Sequence, residues 1–101
     1  MTLAGPDAPG TNTVHIDGDI DVSNANDIAE RICEMIDRGH DAVVVDCSAV
    51  TFVESRGLVM MARVQRSADD VGCRLSWRAL RLPVLRTLHV SGLDTYLRIE
   101  A

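Results

Sequence analysis

Residues Ala42–Val45 form an uninterrupted apolar run that ends in three valines, and this run constrains the fold more than any other segment. A β-branched run without polar alternation is typical of a strand that is covered on both faces. Apolar residues recur at helical spacing before the run, over residues 28–36, and after it, over residues 58–71. The chain is therefore expected to fold as an α/β domain with helices packed on a sheet.

Four further segments complete the predicted order of elements. Residues 14–16 predict a short strand that leads into a turn. Alternating residues 73–79 predict a half-buried strand with Trp77 on its core side. Pro83 is well placed in the first turn of a third helix, and residues 96–100 are expected to add a final strand. The resulting order β-α-β-α-β-α-β predicts a mixed β-sheet.

A single domain is expected from the length and composition. The 101 residues, of which 47% are apolar, suffice for one modest core. Residues 1–12 are rich in Gly, Pro, Asp, Thr and Asn, and they are expected to form a flexible tail. Residues 13–101 are expected to form the folded domain.

The net charge of −5 disfavours two classes of partner. Nucleic acid would require a clustered basic surface, and an anionic membrane surface would likewise attract basic residues. No apolar run approaches the roughly 18 residues of a membrane span, and the N-terminus has neither the charged nor the apolar region of a signal peptide. We therefore expect a cytoplasmic protein that neither binds nucleic acid nor inserts into a membrane.

Cysteine and histidine residues are too scattered along the chain to predict a metal site. Cys33, Cys47 and Cys73 show no C-x-x-C spacing, and the three histidines show no H-E-x-x-H pattern. We expect the thiols to pack as small hydrophobic groups, with a redox switch as the alternative. No metal or cofactor is predicted.

The segment Phe52–Leu58 places Ser55 where a loop turns into a helix. A helix N-terminus carries unpaired N–H groups and partial positive charge, so a phosphate on Ser55 would be stabilised there. Two interpretations stay open, because Ser55 is either the site of a switch or only a helix cap. A role as enzyme nucleophile is disfavoured, since Val53 occupies the position of the first glycine in the G-x-S-x-G motif. No enzyme activity is expected.

Four ordered segments resemble the STAS domain, which occurs in sulfate transporters and anti-sigma-factor antagonists. These segments are Gly18–Asp21, Val43–Asp46, Phe52–Leu58 and Leu88–Leu93. The resemblance covers residues 14–100, and it implies a small STAS-like α/β domain.

The sequence differs from the usual STAS pattern at three places. Glu54 stands where the family usually has aspartate, and Arg56 stands where it usually has a small hydroxyl residue. The first strand of the family has no convincing counterpart in residues 1–12.

The resemblance implies that the chain is a non-enzymatic anti-sigma-factor antagonist. In stand-alone bacterial members, the unphosphorylated antagonist binds an anti-sigma factor, which is itself a serine kinase, and thereby frees the sigma factor. Ser55 matches the serine that this kinase phosphorylates to break the complex, and a phosphatase is a further candidate partner. The partner-binding surface is expected to include Asp21, Glu54, Ser55, Arg56, Gly57 and Met60.

Several assignments keep two alternatives open. The alternative function is that of a non-phosphorylated STAS subunit in a transporter or signalling complex. Met60 belongs either to the core or to the partner contact, whereas Met61 is expected in the core. Asp21 is either a partner residue or a solvated turn carboxylate. Asp46 matches an acidic position of the family, and it is alternatively a strand-end cap.

Overall fold

The computed structural model describes residues 2–3 and 11–100, in which a four-stranded sheet carries three α-helices. In chain order the elements are β1 (Thr2–Leu3), β2 (Thr11–His15), α1 (Ala25–Asp37), β3 (Ala42–Asp46), α2 (Ser55–Asp70), β4 (Arg74–Arg78), α3 (Leu82–Ser91) and a 3-10 turn at Leu93–Thr95. The predicted alternation of strands and helices is confirmed from β2 to α3.

The sheet has the strand order β1-β2-β3-β4, in which β1 is antiparallel to β2 and the other neighbours are parallel. The prediction of a mixed sheet is therefore confirmed. The three valines of β3 are buried, as expected for a strand with a neighbour on each side. Because β2, β3 and β4 run in the same direction, the loops that follow them lie at one edge of the sheet. The helices α1, α2 and α3 begin at this edge, which we call the carboxyl edge.

The N-terminal region contains a strand that the sequence pattern did not predict. Thr2–Leu3 pairs antiparallel with β2, and β2 itself begins at Thr11, inside the predicted tail of residues 1–12. The remaining tail residues lie outside the described residues, namely 1 and 4–10, as does residue 101. The flexibility of the tail stays a prediction.

The core-facing side of α2 is wider than the predicted stripe: Met61, Gln65 and Ala68 are buried as predicted, and further residues join them. The sequence spacing predicted that Leu58 and Val71 belong to this side. In the structure Gly57, Met60 and Val64 are buried, whereas Val71 is exposed. Close packing of Gly57 on the preceding loop sets this orientation.

The predicted final strand over residues 96–100 is reduced to a single bridge. Ile99 forms a parallel bridge with Trp77, but Arg98 donates its N–H to Oε1 of Gln65 at 3.2 Å. Because a side chain takes this N–H group, a regular ladder does not extend along the segment. Trp77 is fully buried, which confirms its predicted place in the core.

Candidate functional site

Two loops at the carboxyl edge are joined by backbone hydrogen bonds. The N–H of Ile20 donates to the carbonyl of Phe52 at 3.1 Å, and the N–H of Glu54 donates to the carbonyl of Ile20 at 2.9 Å. Ile20 and Val53 thereby form a parallel bridge. The loop after β2, which carries Asp21, and the loop before α2 therefore form one ordered unit beside Ser55.

Asp19 holds the turn that precedes this bridge. Its Oδ1 accepts hydrogen bonds from the N–H of Thr51 at 2.7 Å, the Thr51 hydroxyl at 2.9 Å and the N–H of Phe52 at 3.0 Å. The bonds from Thr51 lower the pKa of Asp19 below its usual value, so the carboxylate is ionised at neutral pH. The sequence predicted a turn at this aspartate but not its hydrogen bonds to residues 51 and 52, which are more than 30 positions away.

Asp21 organises the start of α1. Its Oδ1 accepts the N–H of Ser23 at 2.9 Å and the Ser23 hydroxyl at 2.5 Å, and its carbonyl accepts the N–H of Ala25 at 3.0 Å. The hydroxyl of Ser23 is the largest cause that lowers the pKa of Asp21 below its usual value. The structure therefore supports the role of a turn carboxylate, and the partner-binding role of Asp21 stays a prediction.

Ser55 is the first residue of α2, and it is exposed. The N-cap position belongs to Glu54, whose φ of −75° and ψ of 167° are extended and whose side chain makes no capping hydrogen bond. The alternative in which Ser55 only caps the helix is therefore wrong, because a capping serine would occupy the position that Glu54 fills. Arg56 follows in the first turn and is also exposed.

Gly57 lets the start of α2 lie directly on the bridge between the two loops. A Cβ atom at this position would lie 2.6 Å from Cγ1 of Val53 and 2.7 Å from Cγ2 of Ile20. Gly57 is buried as a consequence, which gives it a packing role, and its place in the partner contact stays a prediction.

We expect Gly57→Ala to destabilise the fold by about 1–3 kcal/mol, as is typical of overpacking against stiff β-branched side chains. The free energy of unfolding in urea measures the effect. Gly18→Ala is the matched control, because an added Cβ at Gly18 meets no heavy atom within 4 Å. Equal stability of the two variants would contradict the packing role of Gly57.

Of the two roles left open for Met60, the packing supports the core. Its side chain is only 4% exposed, so it is corrected from a surface contact to a core residue. Met61 is fully buried, as predicted. The exposed apolar side chain of this turn is Val59.

Asp46, the last residue of β3, contacts the last residues of β2 and β4. It accepts the N–H of Ser48 at 2.9 Å and the Ser48 hydroxyl at 2.6 Å, and it pairs with Arg78 at 3.2 Å and with His15 at 3.8 Å. Burial raises the pKa of Asp46, but the hydrogen bonds from Ser48 and Arg78 outweigh it and hold the pKa below its usual value. These contacts agree with the strand-end cap that was one alternative for Asp46.

The thiols fit the structural alternative better than the redox alternative. Cys33, Cys47 and Cys73 are free, and burial raises the pKa of all three, that of Cys47 to about 12. A protonated thiol is a poor nucleophile. Among residues 2–3 and 11–100, no cluster of metal-ligating side chains occurs, and no helix is both long and apolar enough to cross a membrane.

Comparison with known proteins points to the same family as the ordered segments. The family model described as "Mlab, STAS domain" matches residues 5–99. The anti-sigma-F factor antagonist RsfB of Mycobacterium tuberculosis is 29% identical over 101 residues, and the match covers 98% of this chain and 80% of that protein.

Solved structures share the fold over nearly the whole chain. A crystal structure of an anti-sigma factor antagonist from Mycobacterium paratuberculosis matches with a TM-score of 0.82 at 26% identity, over 97% of this chain and 83% of that chain. The antagonist SpoIIAA in its unphosphorylated form gives a TM-score of 0.78 at 18% identity, over 99% of this chain and 87% of that chain. SpoIIAA of Bacillus in its phosphorylated form gives a TM-score of 0.72 at 17% identity, over 99% of this chain and 90% of that chain. At these identities the likeness to SpoIIAA shows a common fold.

Proposed function

The chain belongs to the STAS domain family, and we propose that within this family it acts as an anti-sigma-factor antagonist that is controlled by phosphorylation of Ser55. Its partner is an anti-sigma factor that is also a serine kinase. Binding of the unphosphorylated chain to this partner releases the sigma factor, and the chain itself catalyses no reaction. The relatives named as anti-sigma factor antagonists support this role.

The exposed position of Ser55 at the start of α2 is the observation that carries the proposal. A kinase needs access to the hydroxyl, and the two hydrogen-bonded loops beside the start of α2 hold this residue in a defined position. Phosphorylation adds about −1.5 to −2 charges at neutral pH. The relative SpoIIAA has been solved in both an unphosphorylated and a phosphorylated form.

The switch acts on the partner interface and leaves the fold intact. A phosphate at the N-terminus of α2 interacts favourably with the helix by roughly 0.3–1 kcal/mol. That energy is small beside the stability of a domain, which is about 5–15 kcal/mol. At a partner contact, however, an added charge without a counter-charge weakens binding strongly.

The proposed surface combines Asp21, Glu54, Ser55 and Arg56 at the carboxyl edge. Arg56 is exposed directly after Ser55, and a guanidinium can form a charge-assisted hydrogen bond with a phosphate. Arg56 stands where the family usually has a small hydroxyl residue, so its charge is a departure from the family pattern beside the proposed switch. A phosphatase would restore the binding-competent form.

A phosphorylation assay tests the proposal. The full-length chain is incubated with the anti-sigma factor that co-purifies with it from the source cells and with ATP, and the modified residue is located by mass spectrometry. We expect phosphate on Ser55, none in Ser55→Ala, and wild-type modification in Ser67→Ala. Ser67 is the matched control because it is another exposed serine of α2.

The alternative function predicts a different result in the same experiment. A non-phosphorylated STAS subunit would co-purify with a transporter ATPase or another complex. After incubation with ATP, Ser55 would carry no phosphate. That outcome would overturn the proposed switch.

A further inference from the structure

Phe52 is exposed to solvent although it is the largest apolar side chain of the loop before α2. Its side chain is 55% exposed, whereas its neighbour Val53 is buried. The alternation follows from the bridge, because Val53 pairs with Ile20 toward the core and Phe52 is directed the other way. An exposed aromatic side chain in an ordered loop is a common anchor of protein interfaces.

The backbone of Phe52 is held on both sides. Its N–H donates to Oδ1 of Asp19 at 3.0 Å, and its carbonyl accepts the N–H of Ile20 at 3.1 Å. A backbone that is already fixed spares the entropic cost of ordering the loop on binding. Phe52 is therefore preorganised for a contact with a partner.

A second apolar residue is exposed on the loop after β2. Val22, two residues beyond the bridge at Ile20, is 62% exposed. Four carboxylates, those of Asp17, Asp19, Asp21 and Glu54, belong to the same two loops. Two cations lie beside them, Arg56 and Arg81, and Arg81 donates its Nε–H to the carbonyl of Ser48 at 2.7 Å. The surface therefore presents apolar side chains within a mainly acidic rim.

We propose that Phe52 is the apolar anchor of the partner contact and that it inserts into an apolar pocket on the anti-sigma factor, whose arginine or lysine residues face Asp19 and Asp21 and not Ser55. This proposal rests on the proposed function for the identity of the partner. Continuity supports it, because Phe52 lies three residues before Ser55 and its carbonyl accepts the N–H of Ile20, the residue before Asp21. The acidic rim supplies the charge complementarity that selects a basic pocket.

The dissociation constant for the purified anti-sigma factor, measured by titration calorimetry with the full chain, tests the anchor. We expect Phe52→Ala to weaken binding at least tenfold, in the range of interface anchors. Val22→Asp is expected to weaken it as well, and higher salt should reduce the affinity of the wild type. Tyr96→Ala is the matched control, since Tyr96 is 46% exposed and follows the far end of α3.

A second measurement tests the contact without removing the aromatic side chain. A photo-reactive phenylalanine analogue at position 52 should crosslink to the anti-sigma factor in the source cells, whereas the same analogue at position 96 should not. Equal affinities of Phe52→Ala and Tyr96→Ala, or a crosslink at position 52 to another class of protein, would overturn the anchor. If the anchor is overturned but Ser55→Glu still abolishes binding of the anti-sigma factor, only the role of Phe52 is contradicted, and the proposed function stands. If the anti-sigma factor does not bind the wild type at all, the proposed function has failed.

Discussion

Replacement of Gln65 by leucine is expected to destabilise the domain by about 2–4 kcal/mol, because it leaves two donors without an acceptor. Gln65 is 1% exposed, and its Oε1 accepts both Nε1–H of Trp77 at 3.0 Å and the N–H of Arg98 at 3.2 Å. Its Nε2 donates to the carbonyl of Leu75 at 3.3 Å. One side chain thus connects α2, β4 and the C-terminal segment. Urea unfolding, followed by far-UV circular dichroism, gives the free energy.

A double-mutant cycle with Trp77→Phe separates the hydrogen bond from the loss of packing. Phenylalanine removes the Nε1–H donor, so Gln65→Leu should cost less in the Trp77→Phe background than in the wild type. Gln65→Leu with wild-type stability would show that the network contributes little. Equal costs in both backgrounds would show that the bond from Trp77 is not the cause.

The main elements could be predicted because their patterns are local. The valines of β3 and the apolar spacing of α1 identify a covered strand and an amphipathic helix without knowledge of the rest of the fold. The partners of Gln65 could not be predicted in the same way. Trp77 and Arg98 lie 12 and 33 positions away along the chain, and no sequence period joins such distant residues.

The candidate site was predicted in part. The family resemblance selected Ser55 and Asp21, and the structure places Asp21 on the loop after β2 and Ser55 at the first position of α2, both at the carboxyl edge. The sequence left Met60 open, because both of its neighbours in α2 are also apolar and the spacing alone does not show which of the three side chains faces solvent. Phe52 was overlooked for a related reason, since its exposure depends on the pairing of its neighbour Val53 with a distant residue.

Ser55→Glu is expected to weaken binding of the anti-sigma factor by roughly 30-fold or more, which corresponds to about 2 kcal/mol or more. The substitution adds a negative charge at the proposed contact. The fold should be unaffected, because a carboxylate at the first position of a helix interacts favourably with its dipole. Ser55→Ala should bind within a few-fold of the wild type. Titration calorimetry gives the affinities, and thermal unfolding checks that each variant folds.

Ser67→Glu separates the position of the charge from the charge itself. Ser67 is an exposed serine of the same helix, about 18 Å from Ser55 along the axis at 1.5 Å per residue. We expect this control to bind with nearly wild-type affinity. Equal losses in Ser55→Glu and Ser67→Glu would assign the effect to net charge. An unfolded Ser55→Glu would show that the modification acts on the fold, in contradiction to a switch at the interface.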